Sequence, residues 1–308
     1  MHADEMLALS RVSILKERLK ATGCWFLVEA VSNCMRRFVG LFLALLIQAV
    51  AMSDVSQDSD LDWATYDPDK FTFVRIVYDS VGGNGEAYYP GDRGWVPRWA
   101  TDHPDGAKNL TWRLNQLTTI RANQGTLLLR LTDPKLKDFP FIFMSDPGWQ
   151  ELTREERISL RKYLENGGFL WVDDFWGQAE WDNLERNTLA EAPGFRWFDI
   201  PNDHPILSTV YPLKACPQVT AIQFYRRNGE TYDPPFFHKR PNGGVADLSE
   251  VHFRGLLDPQ GRLVAVATHN TDIADGWERE GEDEEFFQRF SVLSYALAVN
   301  VLTYALSH

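Results

Sequence analysis

The sequence predicts an α/β protein of flavodoxin-like type: one domain built on a doubly wound, mainly parallel sheet with helices on both faces. Three observations carry this prediction. Short apolar strands alternate with helices of 3.6-residue periodicity, the pattern of βαβ units. The run Phe169-Leu170-Trp171-Val172 is apolar throughout, as a strand covered on both faces must be. That strand follows a capped helix and the pair Gly167-Gly168, and strand, helix, Gly turn, strand is the order of a parallel crossover.

The elements follow in order. Phe71–Tyr78 alternates and is rich in β-branched and aromatic residues, so it reads as the first strand. A Gly-rich loop with aromatics runs from Asp79 to Asp105, and its Gly82-Gly83-Asn84-Gly85 stretch is a flexible loop, not a phosphate cradle. Leu110, Leu114 and Leu117 recur at helical spacing and imply a helix over 107–121. Residues 126–131 form a second strand and Phe139–Met144 a third. Thr153 and Glu156 make a capping box that opens a helix with Leu160, Tyr163 and Leu164 on one face, closed by Gly167. A helix over 178–190 and a short strand at Phe195–Phe198 come next. The stretch 226–260, with its Pro and Gly residues, reads as a long surface loop or lid. Leu263–Thr268 is a buried strand ending in His269-Asn270. The last helix, 284–306, is apolar enough to mimic a membrane span. Its flanking acids, with Arg289 and Asn300, favour a core helix packed on the sheet.

Composition bounds the function. A chain of 308 residues with a net charge of −12 lacks the basic character of a phosphate-backbone partner, so no nucleic acid is expected. Arg36-Arg37, the apolar run Phe38–Val50 and Ala49-Val50-Ala51 form a signal peptide over 35–51. The run is short of the roughly 20 residues a membrane span needs, so cleavage and export, periplasmic or secreted, are expected over a retained anchor. Residues 1–34 then read as an extension ahead of a start at Met35, 52–62 as an acidic linker and 63–308 as the folded domain. After processing only Cys216 remains, which excludes an internal disulfide.

Ligands of open α/β sheets lie beyond the carboxyl ends of the strands. At those ends stand Asp79, then Ser145 and Asp146, then Asp173 and Asp174, and finally His269, Asn270 and Asp272. Such an oxygen-rich rim could hold a hard divalent cation, Mg²⁺ or Ca²⁺, or supply a general acid and base. The same residue types also simply begin loops. Trp95, Trp99, Trp176, Trp181 and Trp277 lie in or beside these loops, and aromatic faces next to carboxylates suit a sugar ring or a cationic group. G-x-S-x-G, H-E-x-x-H, P-loop and complete G-x-G-x-x-G motifs are missing from the sequence.

From residue 71 to 308 the chain resembles a bacterial family of domains of unknown function, DUF4159. The resemblance rests on Phe71–Tyr78, Pro140–Met144, Leu160-Arg161 with Tyr163-Leu164 leading into Gly167–Gly177, His204-Pro205-Ile206, and Asn270 through Trp277-Glu278. That family is similar to the class I glutamine-amidotransferase-like branch of flavodoxin-like folds. Asp203–Ile206 and Gly261-Arg262 further resemble its trehalose-utilisation-type members. Active amidotransferases carry a Cys at the turn after the strand matching Phe169–Val172. Here that turn offers Asp173, Asp174 and Phe175, so amidotransferase chemistry is not carried over. The expectation is an exported module binding a small-molecule or glycan ligand at the Asp173–Asp174 rim, flanked by Trp176 and Trp277 and approached by His269. The alternatives are a carboxylate- or metal-dependent hydrolase of a carbohydrate or envelope substrate, and a scaffold with envelope protein partners.

Overall fold

A computed structural model describes residues 60–308 except 63, 82–87, 92–93 and 235–247, with backbone alone at 88–91, 94 and 95. The expected signal peptide and its preceding extension, most of the linker, the Gly82–Gly85 loop and the Trp95 side chain lie outside the described residues. Of the linker, residues 60–62 pack on the domain: Leu61 is buried, and Asp60 Oδ1 accepts the Thr126 amide at 2.8 Å.

Seven strands form the main sheet. They are β1 (Phe71–Ile76), β4 (Ala122–Leu129), β5 (Phe141–Ser145), β6 (Phe169–Phe175), β7 (Arg196–Asp199), β8 (His252–Leu257) and β9 (Leu263–His269). A separate hairpin pairs β2 (Tyr88–Gly91) with β3 (Gly94–Pro97). The main order is β4-β1-β5-β6-β9-β8-β7. Its first five strands are parallel, while β8 and β7 add an antiparallel edge. Numbered among themselves, the parallel strands run 2-1-3-4-5, the flavodoxin-like order, with the reversal between β1 and β5. The apolar strand β6 stands in the middle of the sheet, where both faces are covered.

Strand alternation divides the core into two layers. Phe73, Phe141, Phe143, Trp171 and Val266 face helix α1 (Asp105–Leu117) and the C-terminal helix, meeting Leu110, Leu114, Leu297 and Val301. Val74, Ile142, Val172 and Ala267 face α2 (Arg154–Glu165) and α3 (Gly177–Leu189), meeting Leu160, Leu164 and Leu184. The Thr153–Glu156 capping box opens α2 as its spacing implies, and Gly167 turns out of it at φ 94°. The C-terminal helix Glu284–Ser307 has the length and hydropathy of a membrane span. Its apolar stripe nevertheless lies in the core, and the side chain of Asn300 is fully buried. That side chain accepts from the amides of Val210 and Tyr211 and donates to the carbonyls of Leu207 and Tyr211.

The stretch read as one loop over 226–260 needs correction. A short helix, α4 (Ile222–Asn228), runs into it, and β8 occupies 252–257. A turn closed by Asp258, whose Oδ1 accepts the amides of Gln260 and Arg262, connects β8 to β9. Gly255 stands inside β8 because a Cβ there would come within 2.5 Å of the Phe198 ring and 2.6 Å of Leu263. Strand β4 also starts four residues before its apolar run, because Asn123 is tied to Asp67 and Thr72.

Candidate functional site

The carboxyl edge of the parallel sheet is built by three turns whose first residues adopt a left-handed conformation. Asp146 follows β5 at φ 53°, Asp174 lies in the bulged end of β6 at φ 58°, and Asn270 follows β9 at φ 59°. Asp and Asn are the residue types, after Gly, that tolerate this region. Each turn is pinned by hydrogen bonds. Asp146 donates its amide to the Asp173 carbonyl, and its carboxylate pairs with Arg98 at 3.0 Å. Asn270 accepts the Gly177 amide at 2.7 Å and donates to the Glu250 carbonyl at 2.8 Å. Asp174 accepts the indole N–H of Trp176 at 2.9 Å.

Asp173 anchors the loop that follows β9. Fully buried, it accepts the Thr268 hydroxyl and the amides of Ile273 (3.3 Å) and Ala274 (2.9 Å). Burial pushes its carboxyl up to about 7 against the opposing pull of these donors. The loop so held presents Asp272, whose Oδ1 caps the amide of Asp275 at 2.8 Å, at the start of α5 (Asp275–Glu278). Asp275 accepts the Ile222 amide at 2.9 Å.

A third carboxylate arrives from the loop after β3. Arg75, buried in β1, donates to the carbonyls of Trp99 (3.0 Å) and Thr101 (2.6 Å) and holds that loop over the sheet edge. Asp102, next along at φ 62°, meets Asp272 and Asp275: one carboxylate oxygen of each lies within 4.8 Å of the other two. All three residues are buried. Burial first, then repulsion from neighbouring carboxylates, led by Glu278 at Asp102 and Asp275 and by Asp102 at Asp272, holds the three carboxyls well above the ordinary Asp range, and Asp174 adds to the repulsion at Asp102 and Asp272. Gly106, at the start of α1, lets this assembly close, since a Cβ there would sit 3.3 Å from Asp102 Cβ and 3.5 Å from the Ala274 carbonyl oxygen.

The residues expected on the rim divide. Asp174 and Asp272 join the acidic cluster, and Asp173 and Trp176 support it. His269 does not turn toward it. Thr268 bonds Asp173 on one face of the sheet, so by alternation His269 points to the other. There it stacks on Phe175 at 4.8 Å, lies near Trp181, donates from Nε2 to the Gly177 carbonyl (3.0 Å) and meets Arg254 (3.0 Å). Burial and then Arg254 lower its pKa to about 3, so the ring is neutral at ordinary pH. Asp79 is exposed and pairs with Arg130 at 3.0 Å. Trp176 and Trp277 do not offer open faces: both are buried to 1% exposure, and Trp277 packs edge-on against Trp171 at 5.5 Å. Trp181 is likewise buried, under the Arg254 guanidinium at 3.8 Å.

Asp102 and Asp275 escaped the sequence reading. Asp102 sits in a loop without periodicity, and Asp275 looks like an ordinary first-turn acid of a helix. The one available signal was the spacing Asp272-x-x-Asp275 directly after a buried strand. The only cysteine among the described residues, Cys216, is half-buried, with its thiol pushed up by burial, and so lacks the thiolate character of a nucleophile.

No curated protein matches the chain. The family model described as domain of unknown function (DUF4159) matches residues 87–306, more than two thirds of the 308 residues, and includes every member of the acidic cluster. The chain therefore belongs to the DUF4159 family.

Proposed function

We propose that this chain is an exported ligand-binding module of glutamine-amidotransferase-like descent that has no amidotransferase activity. Its ligand, small and neutral or cationic, binds at the carboxyl edge of β6 and β9 beside Asp174. The observation that carries this reading is the gathering of Asp102, Asp174, Asp272 and Asp275 at one end of a 2-1-3-4-5 parallel sheet. Excess negative charge there favours a cation or a hydrogen-bond donor and repels anions. The amidotransferase-like descent is supported by the strand order and by Asp174, left-handed, at the turn where the resemblance places a cysteine. Export is supported by the Arg36-Arg37 run and its small-residue site. Trp176, Trp181 and Trp277, being buried, offer no face for a stacked sugar.

The test is a thermal-shift panel of amines, amino acids, sugars and metal salts on wild type and Asp174→Asn, which keeps the turn and removes the charge. A ligand that binds only the folded state raises its stability by mass action. A response in wild type that weakens in Asp174→Asn supports the reading. Release of ammonia from glutamine, or no response to any member of the panel, sinks it. A second reading, a hydrolase, draws on carboxyls held protonated near neutrality, as a general acid requires. It wins if an envelope polymer is cleaved by wild type and left intact by Asp174→Asn.

A further inference from the structure

We infer that Asp102, Asp272 and Asp275 form a site for a hard divalent cation, Ca²⁺ or Mg²⁺, close to Asp174. This rests on the location of the ligand site proposed above and names the chemistry of its occupant. The first observation is the convergence of three carboxylate oxygens, from the 99–102 loop and the 272–275 loop, within 4.8 Å of one another. Two oxygens on opposite sides of a Ca²⁺ ion lie about 4.8 Å apart, and about 4.2 Å for Mg²⁺, so the three stand near the spacing of ligands that share one ion. The second observation is separate. Oδ2 of Asp102, in a residue only 7% exposed, has no hydrogen-bond partner. A buried carboxylate oxygen left in this state is costly, and a cation is the group that would complete it.

No side-chain cation of the described residues substitutes for the ion. Arg75 directs its Nη1 to the Trp99 and Thr101 carbonyls. Arg279 approaches Asp275 only to 3.8 Å and pairs more closely with Glu278 at 2.6 Å and Glu282 at 2.8 Å. None of the ion pairs among the described residues includes Asp102 or Asp272. The groups that act most strongly on Asp102 among the described residues are instead the carboxylates of Glu278, Asp174 and Asp275, opposed by Arg75. Oxygen-only ligands select hard ions over thiolate- or imidazole-seeking metals. The scaffold is held before any ion arrives: Asp173 fixes the 272–275 loop, Arg75 fixes the 99–102 loop, and Gly106 allows α1 to approach. Asp102 and Asp174 keep 7% and 6% of their surfaces in solvent.

The experiment uses the purified full-length chain, stripped with chelator and titrated calorimetrically with CaCl₂, MgCl₂ or MnCl₂ at pH 7.5, with melting followed in parallel. Wild type is expected to bind one ion per chain and to melt at higher temperature in its presence. Asp102→Asn and Asp275→Asn should each weaken binding at least tenfold. In chelator, Asp102→Asn should melt no lower than wild type, because it removes an unpartnered buried charge; this shows that its lost affinity is not lost folding. Asp79→Asn, exposed and remote in function, should bind as wild type does. Equal affinity in wild type, Asp102→Asn and Asp275→Asn overturns the site. So does the absence of heat and of any melting shift with all three ions, in which case the carboxyls hold protons. If no ion binds while an amine or amino acid still shifts the melting of wild type, the cation site fails and the ligand-binding reading stands.

Discussion

His269 gives the chain a measurable weakness to acid. Its Nδ1 accepts from the Arg254 guanidinium, which has no lone pair to offer, so the proton sits on Nε2 and is donated to the Gly177 carbonyl. A second ring proton would face Arg254 directly, and the imidazole is held to a pKa of about 3 against 6.5 when unfolded. The unfolded chain therefore binds a proton below pH 6.5 that the folded chain refuses until about pH 3. Stability contributed by the neutral ring is complete above pH 6.5 and is lost as pH falls through this window. At about 1.4 kcal/mol per pH unit, the loss reaches about 3 kcal/mol at pH 4.5. The raised carboxyls act in the opposite sense, since the folded state takes up their protons first, so wild type alone does not isolate the effect. Comparison with His269→Gln does. Gln retains a donor and an acceptor, loses the stack on Phe175 as a constant offset, and carries no titration. Urea unfolding followed by tryptophan fluorescence from pH 7.5 to 4.5 should show the advantage of wild type shrinking by about 3 kcal/mol. A gap between the two proteins that stays constant across this range would refute the assignment.

The other expectations concern buried polar groups. Asn300→Ala strands two amides and two carbonyls of the 207–211 segment and should cost about 2–4 kcal/mol in urea unfolding; a cost below about 1 kcal/mol would mean that water replaces the amide. Arg98→Ala removes the guanidinium that pairs with the buried Asp146 carboxylate and should cost about 3–5 kcal/mol at pH 7.5, with part recovered in the double variant Arg98→Ala, Asp146→Ala. Thr153→Ala removes the side-chain cap of α2 and should lower stability by about 1 kcal/mol; no change in the unfolding midpoint would deny the capping box an energetic role.

Much of the fold was legible because strands β6 and β9 are continuous apolar runs and because α2 announces both of its ends. Strand β8 was not, since its Gly255 answers to the rings and methyls across the sheet, and such a close approach leaves no mark on local periodicity. At the site, Asp174 and Asp272 could be placed from their positions at strand ends. Asp102 could not, because its location depends on Arg75 reaching out of β1 to hold an irregular loop. The direction of His269 depended on parity: it pairs with Phe175 across a bulge, and only the register decides which face a strand-end residue takes.

The left-handed turns at Asp102, Asp146, Asp174 and Asn270 have a consequence for how relatives of this chain should be compared. At these positions the backbone itself restricts evolution to Asp, Asn and Gly, so an invariant Asp174 would testify to a turn as readily as to a charge. Asp272 and Asp275 carry no such constraint, being absent from the left-handed residues. A lineage that exchanged Asp174 for Gly while keeping Asp272 and Asp275 would retain the architecture of the edge and most of its charge. One that held Asp174 but replaced Asp275 by Asn would keep the turn, and the bond to Ile222, while giving up one of the three oxygens that converge.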